Sequence, residues 1–136
     1  MSLHQRCFLT ICALSIAITF PACNPATKAP PPATPSALQI TLSVGPNNSC
    51  LQNGILGGNA VIGTDGVTWV GPTSTTSIAV TFSTCPFSTC SFSSAAGGGS
   101  VSSGAASGTS GTSYAYSSIT IGGSQCSVGT DGIVMR

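Results

Sequence analysis

The sequence predicts an all-β fold for residues 37–136, and two observations support this. Val, Ile, Thr, Ser and Gly, which favour strands and turns, dominate the composition, whereas strong helix formers are nearly absent. Several short stretches also alternate apolar and polar residues with the period of two that marks a half-buried strand. A region of about 100 residues is enough for one small domain.

The stretch 64–82, TDGVTWVGPTSTTSIAVTF, predicts two strands separated by a break at Gly71-Pro72. Trp69 is the only tryptophan in the chain. A side chain of that size buries about 150–250 Å², so we expect Trp69 at the centre of the core. The alternation predicts that its core neighbours are Val67, Ile78, Val80, Phe82, Tyr114 and Tyr116.

Further strands are expected on both sides of this stretch. Leu38 to Val44 alternates cleanly, and two short pieces follow around Ile55-Leu56 and residues 60–62. Residues 99–102 are expected to form a short edge strand. After Tyr116 the apolar residues change frame, which predicts a β-bulge near Ser117-Ser118. Residues 133–135 close the chain as a buried terminal strand.

Residues 1–22 resemble a bacterial export signal, with an apolar run from Cys7 to Phe20 that is too short to span a bilayer of about 30 Å. The segment ends in Phe20-Pro21-Ala22-Cys23, which resembles the lipobox of bacterial lipoproteins and implies lipidation at Cys23. It departs from that pattern at Phe20 and Pro21, where the family prefers Leu and a small residue. The alternative is ordinary signal cleavage and secretion. In the lipoprotein interpretation, residues 23–36 are the lipidated cysteine and a proline-rich spacer.

Four cysteines remain in the predicted domain, and an even number in an exported small domain predicts two disulfides. Three pairings are possible. We expect Cys85–Cys90 across a bent loop, with Cys50–Cys126 across the domain. The alternative is a four-thiolate zinc site, whose usual paired CxxC signature is absent.

Four short motifs resemble the cupredoxin-like (plastocyanin-type) β-sandwiches: TDGVTWVG at 64–71, SIAVTFS with the Pro86-Phe87 loop, the Tyr114-Ala115-Tyr116 strand, and residues 131–134, DGIV. The resemblance spans residues 38–136 and implies a Greek-key β-sandwich. The alternative is an Ig-like sandwich. The family's copper site requires two histidines and a cysteine. The only histidine is His4, and Ser118 stands where the ligand cysteine would fall, so we expect no metal and no cofactor.

The charge inventory argues against other functions. From Cys23 onward, Lys28 and Arg136 balance Asp65 and Asp131, so the surface offers no field that attracts nucleic acid. The mature chain contains no histidine or glutamate that could serve as a base for nucleophilic catalysis. Both aspartates stand in Asp-Gly steps, which are typical of turns. We therefore expect no enzyme and no catalytic residue.

Two functions remain. The first is a lipid-anchored protein of the bacterial cell envelope, facing the periplasm or the outside, whose sandwich is a binding or structural module. Its partner would be the membrane through the anchor, together with another envelope protein or a carbohydrate held by loops 71–77, 84–92 and 95–112 at one end. The alternative is a secreted assembly or adhesin-type subunit with an Ig-like sandwich, whose apolar terminal strand would pair edge to edge.

Overall fold

A computed structural model describes residues 36–136 of the chain. The predicted export signal 1–22, lipidation at Cys23 and all of the spacer except Ser36 lie outside the described residues. The described part contains ten strands and one short 3₁₀ turn at Pro46–Asn48. The strands are β1 (Leu38–Val44), β2 (Cys50–Gln52), β3 (Asn59–Ile62), β4 (Val67–Val70), β5 (Ile78–Phe82), β6 (Ser91–Ser93), β7 (Ser100–Ser102), β8 (Ser113–Ile121), β9 (Ser124–Cys126) and β10 (Gly132–Met135).

The strands form two sheets, which confirms the all-β class. A four-stranded sheet has the order β2-β1-β4-β7, and a six-stranded sheet has the order β3-β10-β8-β5-β6 with β9 also paired to β8. Both sheets are mixed, because β1 runs parallel to β4 and β10 runs parallel to β3. The consecutive strands β4 and β5 belong to different sheets, so residues 71–77 cross from one layer to the other. The inner faces of the two layers enclose the core.

The hydrophobic core surrounds Trp69, as the sequence predicts. This side chain has no exposed surface, and β4 and β5 both alternate buried with partly buried residues. The six other expected core residues are all buried except Tyr114, which is only partly buried and packs against the edge of the core. The difference follows from position, because Tyr114 lies near the start of β8.

The predicted bulge is present in β8. Thr81 pairs with Ser118, whereas the next residue of β5, Phe82, pairs with Tyr116. Ser117 is therefore the extra residue that changes the apolar frame. The shift lets Tyr116 and Ile119 both face the core although three positions separate them. The expected edge strand is also present as β7, paired only with β4.

One expected strand is absent, and two others differ in part from what was expected. Ile55 and Leu56 lie outside the named strands, in the loop that crosses from β2 to β3, and are 62% and 59% exposed. The predicted strand from Leu38 to Val44 is present as β1, but only its middle is buried, and Val44 is 47% exposed. The terminal strand β10 is buried as expected, but it does not offer an edge for pairing, since it lies between β3 and β8.

Candidate functional site

Four aromatic rings from both layers pack together in the core. The ring of Trp69 lies 5.1 Å from that of Phe92, 5.9 Å from that of Phe82 and 6.0 Å from that of Phe87, measured between centroids. Phe87 and Phe92 meet edge to face at 5.4 Å. Such tilted and edge-to-face pairs contribute about 0.5–1.5 kcal/mol each beyond the area they bury. This aromatic cluster ties β4 to the β5–β6 hairpin of the opposite sheet.

A chain of buried hydrogen bonds runs through the same region. The indole Nε1 of Trp69 donates to the phenol oxygen of Tyr116 at 3.0 Å, and that hydroxyl donates to Oε1 of Gln52 at 2.7 Å. Burial raises the pKa of the Tyr116 phenol well above its usual value of 10.0, and the charge of Asp131 adds to the rise, although the Trp69 bond opposes it. The phenol therefore stays protonated and available as a donor at neutral pH.

Gln52 and Asp131 close the side of the sandwich where the β2–β3 and β9–β10 loops meet. The amide Nε2 of Gln52 donates to the carbonyls of Gly132 at 3.3 Å and Gly58 at 3.4 Å. The carboxylate Oδ1 of Asp131 accepts from the backbone N–H of Gly58 at 2.8 Å. These bonds join a loop that leaves one sheet to a strand of the other.

The interpretation of Asp131 as a turn residue is therefore wrong. Its side chain is 1% exposed, and its second oxygen Oδ2 is buried without a hydrogen-bond partner among the described residues. Asp65, in contrast, is exposed and stands in a turn closed by the Gly66 N–H and the Gly63 carbonyl at 3.2 Å. The two carboxylates therefore occupy unlike environments, one structural and buried, the other at the surface.

The four cysteines of the described domain are bonded in two pairs. Cys50 is joined to Cys126 across the two sheets, with 5.2 Å between their Cα atoms. Cys85 is joined to Cys90 within the β5–β6 loop, with 5.5 Å between Cα atoms. This is the pairing preferred from the sequence, and it leaves no thiolates for the zinc alternative. Backbone bonds reinforce the inter-sheet pair, because the Cys50 N–H donates to the Ser127 carbonyl at 2.9 Å.

The three loops expected at one end lie at opposite ends. Residues 71–77 and 95–99 meet at what we name the Gly71 end, where the Gly71 N–H donates to the Gly99 carbonyl at 2.7 Å. Residues 83–90 and 103–112 meet at the other end, named the Asp65 end, where the Ser107 N–H donates to the Pro86 carbonyl at 2.7 Å. The strand directions require this, because β5 and β6 form a hairpin whose turn points away from residues 71–77.

An open groove of about 460 Å³ lies at the Asp65 end. Its wall combines the apolar side chains of Leu38 and Val61 with the charged side chains of Asp65 and Arg136. Ser36, Gly63, Thr64 and Gly66 complete the lining. The groove thus offers carboxylate and hydroxyl acceptors, guanidinium donors and two aliphatic contacts to a small ligand.

The outer edge of β3 is a second accessible feature. This strand pairs only with β10 among the described strands, so its other edge is free. Val61 on β3 is 56% exposed, and the neighbouring loop carries the exposed Ile55 and Leu56. No charged residue stands on β3 or in the loop before it. Natural edge strands often carry such charges to prevent pairing with another chain.

Within residues 36–136, no three His, Cys, Asp or Glu side chains come together in a group able to hold a metal ion. Nor does this part contain a helix long and apolar enough to cross a membrane.

Comparison of the chain with family models, with curated proteins and with solved structures gives no significant match.

Sequence reasoning missed Gln52 and the burial of Asp131. A signal for Gln52 exists, because it shares a strand face with Cys50, two residues earlier. A polar side chain on the face that carries an inter-sheet disulfide must find buried partners. No local signal distinguishes Asp131 from Asp65, since each precedes a glycine.

Proposed function

We propose that this chain is an exported cell-envelope protein, anchored by a lipid at Cys23, whose domain is a metal-free, cupredoxin-like binding module. The two disulfides carry the export part of the proposal, because such bonds persist in oxidising compartments outside the cytosol. The apolar leader and the Cys23 motif agree with it. The cupredoxin-like assignment is supported by its motifs, which fall on the inner strands β4, β5, β8 and β10 of the two sheets.

Metabolic labelling with radioactive palmitate tests the anchor. We expect incorporation in the wild-type chain and its loss in Cys23→Ser. Cys12→Ser is the matched control, because it also removes a cysteine from the N-terminal segment but should keep the label. Equal incorporation in both variants would contradict lipidation at Cys23.

The binding role centres on the groove at the Asp65 end. Its size is within the range of about 300–1,000 Å³ found for small-molecule sites. The mixture of one carboxylate, one guanidinium, hydroxyls and aliphatic side chains suits a neutral, hydroxyl-rich ligand, and we propose a carbohydrate. Another envelope protein is the competing occupant.

NMR titration of the soluble Cys23→Ser chain with mono- and disaccharides of the cell envelope tests this role. We expect shifts of the amides of residues 63–66 and 136 that saturate at millimolar ligand. Asp65→Asn should weaken the effect, whereas Thr75→Ala at the Gly71 end should not change it. An unchanged spectrum at high saccharide concentration would refute carbohydrate binding in the groove.

The second candidate is a secreted assembly subunit, and the free edge of β3 favours it. The strand expected to mediate pairing, β10, is internal, so assembly would use β3 and the exposed Val61 instead. Size-exclusion chromatography of the same soluble chain at micromolar concentration distinguishes the two candidates. An oligomer that Val61→Lys dissociates supports assembly, whereas a monomer supports the binding module.

A further inference from the structure

The loop between β5 and β6 combines a surface disulfide with a side chain that reaches the core. Cys85 and Cys90 are five positions apart and only partly buried. Between them, Phe87 is 9% exposed and contacts Trp69, Phe82 and Phe92. The disulfide thus holds closed the short loop that carries Phe87 into the aromatic cluster.

The two disulfides of the domain differ in access. Cys50 and Cys126 are 1% and 3% exposed, so a thiol can reach them only if the sandwich opens. Cys85 and Cys90 lie beside Ser83, Thr84, Ser88 and Thr89, all of which are exposed. An attacking thiolate can therefore reach this bond in the folded protein, and exposed disulfides are the ones that serve as labile or regulatory bonds.

The two pairs also differ in what would hold their sulfurs together after reduction. Cys50 and Cys126 stand on strands that are paired within their own sheets. Next to this disulfide, the Ser127 N–H donates to the Asn48 carbonyl at 2.8 Å and joins the two sheets. Cys90 is held to β5, because the Phe82 N–H donates to its carbonyl at 2.9 Å, whereas Cys85 stands outside any strand in a loop held by the Pro86 carbonyl bond to Ser107. Reduced Cys85 would therefore move away from Cys90 more readily than Cys50 from Cys126, which favours the dithiol form.

We propose that Cys85–Cys90 is a thiol–disulfide exchange site for a dithiol reductant, and that its reduction releases Phe87 from the aromatic cluster. A thiolate of the donor attacks one sulfur of the pair, the Cys85–Cys90 bond breaks, and a mixed disulfide forms. The second donor thiolate attacks that mixed disulfide and completes the exchange. Two electrons and two protons pass to Cys85 and Cys90, and the donor leaves as a disulfide.

Backbone hydrogen bonds connect the Cys85–Cys90 loop to the groove at the Asp65 end, so the release of Phe87 should affect the groove. The Pro86 carbonyl accepts from Ser107, and the neighbouring Ala106 donates its N–H to the Thr64 carbonyl at 2.9 Å. Thr64 lines the groove. Opening of the Cys85–Cys90 loop should therefore change the surroundings of Thr64. The exchange site itself does not depend on whether the groove binds a ligand.

The test exposes the purified full chain to increasing dithiothreitol, with the thiols then blocked by N-ethylmaleimide and mapped by mass spectrometry. We expect Cys85 and Cys90 to be labelled at about tenfold less dithiothreitol, or lower still, than Cys50 and Cys126. The emission of Trp69 should shift to longer wavelength over the same range, while the circular dichroism of the sheets is kept. Simultaneous labelling of all four cysteines, or labelling of Cys50 and Cys126 first, would overturn the proposal.

Two variants separate the exchange site from its effect. Cys85→Ser combined with Cys90→Ser should show the long-wavelength emission without reductant and no response to it. Phe87→Ala should keep the selective labelling but lose the emission change. If that double serine variant fails to fold, labelling of the wild-type chain still decides the exchange site. Selective labelling with unchanged Trp69 emission and an unchanged Thr64 amide would overturn the release of Phe87.

Discussion

Removal of one oxygen atom, by Tyr116→Phe, should destabilise the domain strongly. The phenol is the acceptor for Trp69 Nε1 at 3.0 Å and the donor to Gln52 Oε1 at 2.7 Å, and all three residues are buried. Phenylalanine keeps the ring, so packing is conserved. Two buried polar groups lose their partner, each at a cost of about 1–3 kcal/mol. We expect the free energy of unfolding to fall by about 3 kcal/mol, a large share of the 5–15 kcal/mol typical of a domain.

Urea unfolding with intact disulfides, followed by the fluorescence of the single tryptophan, measures this loss. The slope of the free energy against urea should stay constant while the midpoint falls. Tyr114→Phe is the matched control, because Tyr114 is only partly buried, and it should change the stability by less than about 0.5 kcal/mol.

A double-mutant cycle with Gln52→Leu tests the cause. If the phenol bridges Trp69 and Gln52, the double variant should lose less stability than the sum of the two single variants, because Gln52 Oε1 is no longer left without a donor. A loss below about 1 kcal/mol for Tyr116→Phe, or strict additivity in the cycle, would refute the role of the buried hydrogen-bond chain.

Three further predictions concern the same domain. Burial raises the pKa of Tyr116 in the folded state, so the unfolded chain releases this proton at lower pH than the folded chain. The free energy of unfolding should therefore fall as pH rises above about 10. Urea titrations at about pH 8 and about pH 11 should show a smaller fall for Tyr116→Phe than for the wild-type chain. Asp131→Ala removes the acceptor of the partly buried Gly58 N–H and should cost about 1–3 kcal/mol in the same assay, whereas Asp65→Ala should cost less than about 0.5 kcal/mol. Gly66→Ala would make a Cβ clash with the Gly104 carbonyl at a φ of +78°, so it should lower the melting temperature far more than Gly111→Ala, where φ is +81° but the space is open.

Much of the fold follows from patterns that extend over a few residues. The strands around Val67–Val70 and Ile78–Phe82 were predictable, because alternation with a period of two reports directly which side chains face a core. The bulge at Ser117 was predictable for the same reason, since the apolar frame changes there. These inferences need only the geometry of a single strand.

Patterns of this kind do not show how strands are arranged in space. Loops 71–77, 84–92 and 95–112 look alike in sequence, yet strand direction distributes them over both ends of the sandwich. Likewise, β10 has the apolar composition expected of a terminal strand, but its place between β3 and β8 is a property of sheet order. The expectations that β10 offers a free edge and that the three loops meet at one end were wrong for this reason.

Alternation along the chain was enough to predict strands in residues 37–136 around Trp69, with cysteines suited to two crosslinks. The contacts between the sheets were needed to show that Gln52, Tyr116 and Asp131 share one buried polar region, and that Asp131 differs from Asp65. The two kinds of information differ in the sequence separation of the residues that interact. Alternation arises between neighbours along the chain, whereas a buried hydrogen bond joins residues such as Gln52 and Tyr116, 64 positions apart, only after two sheets have met.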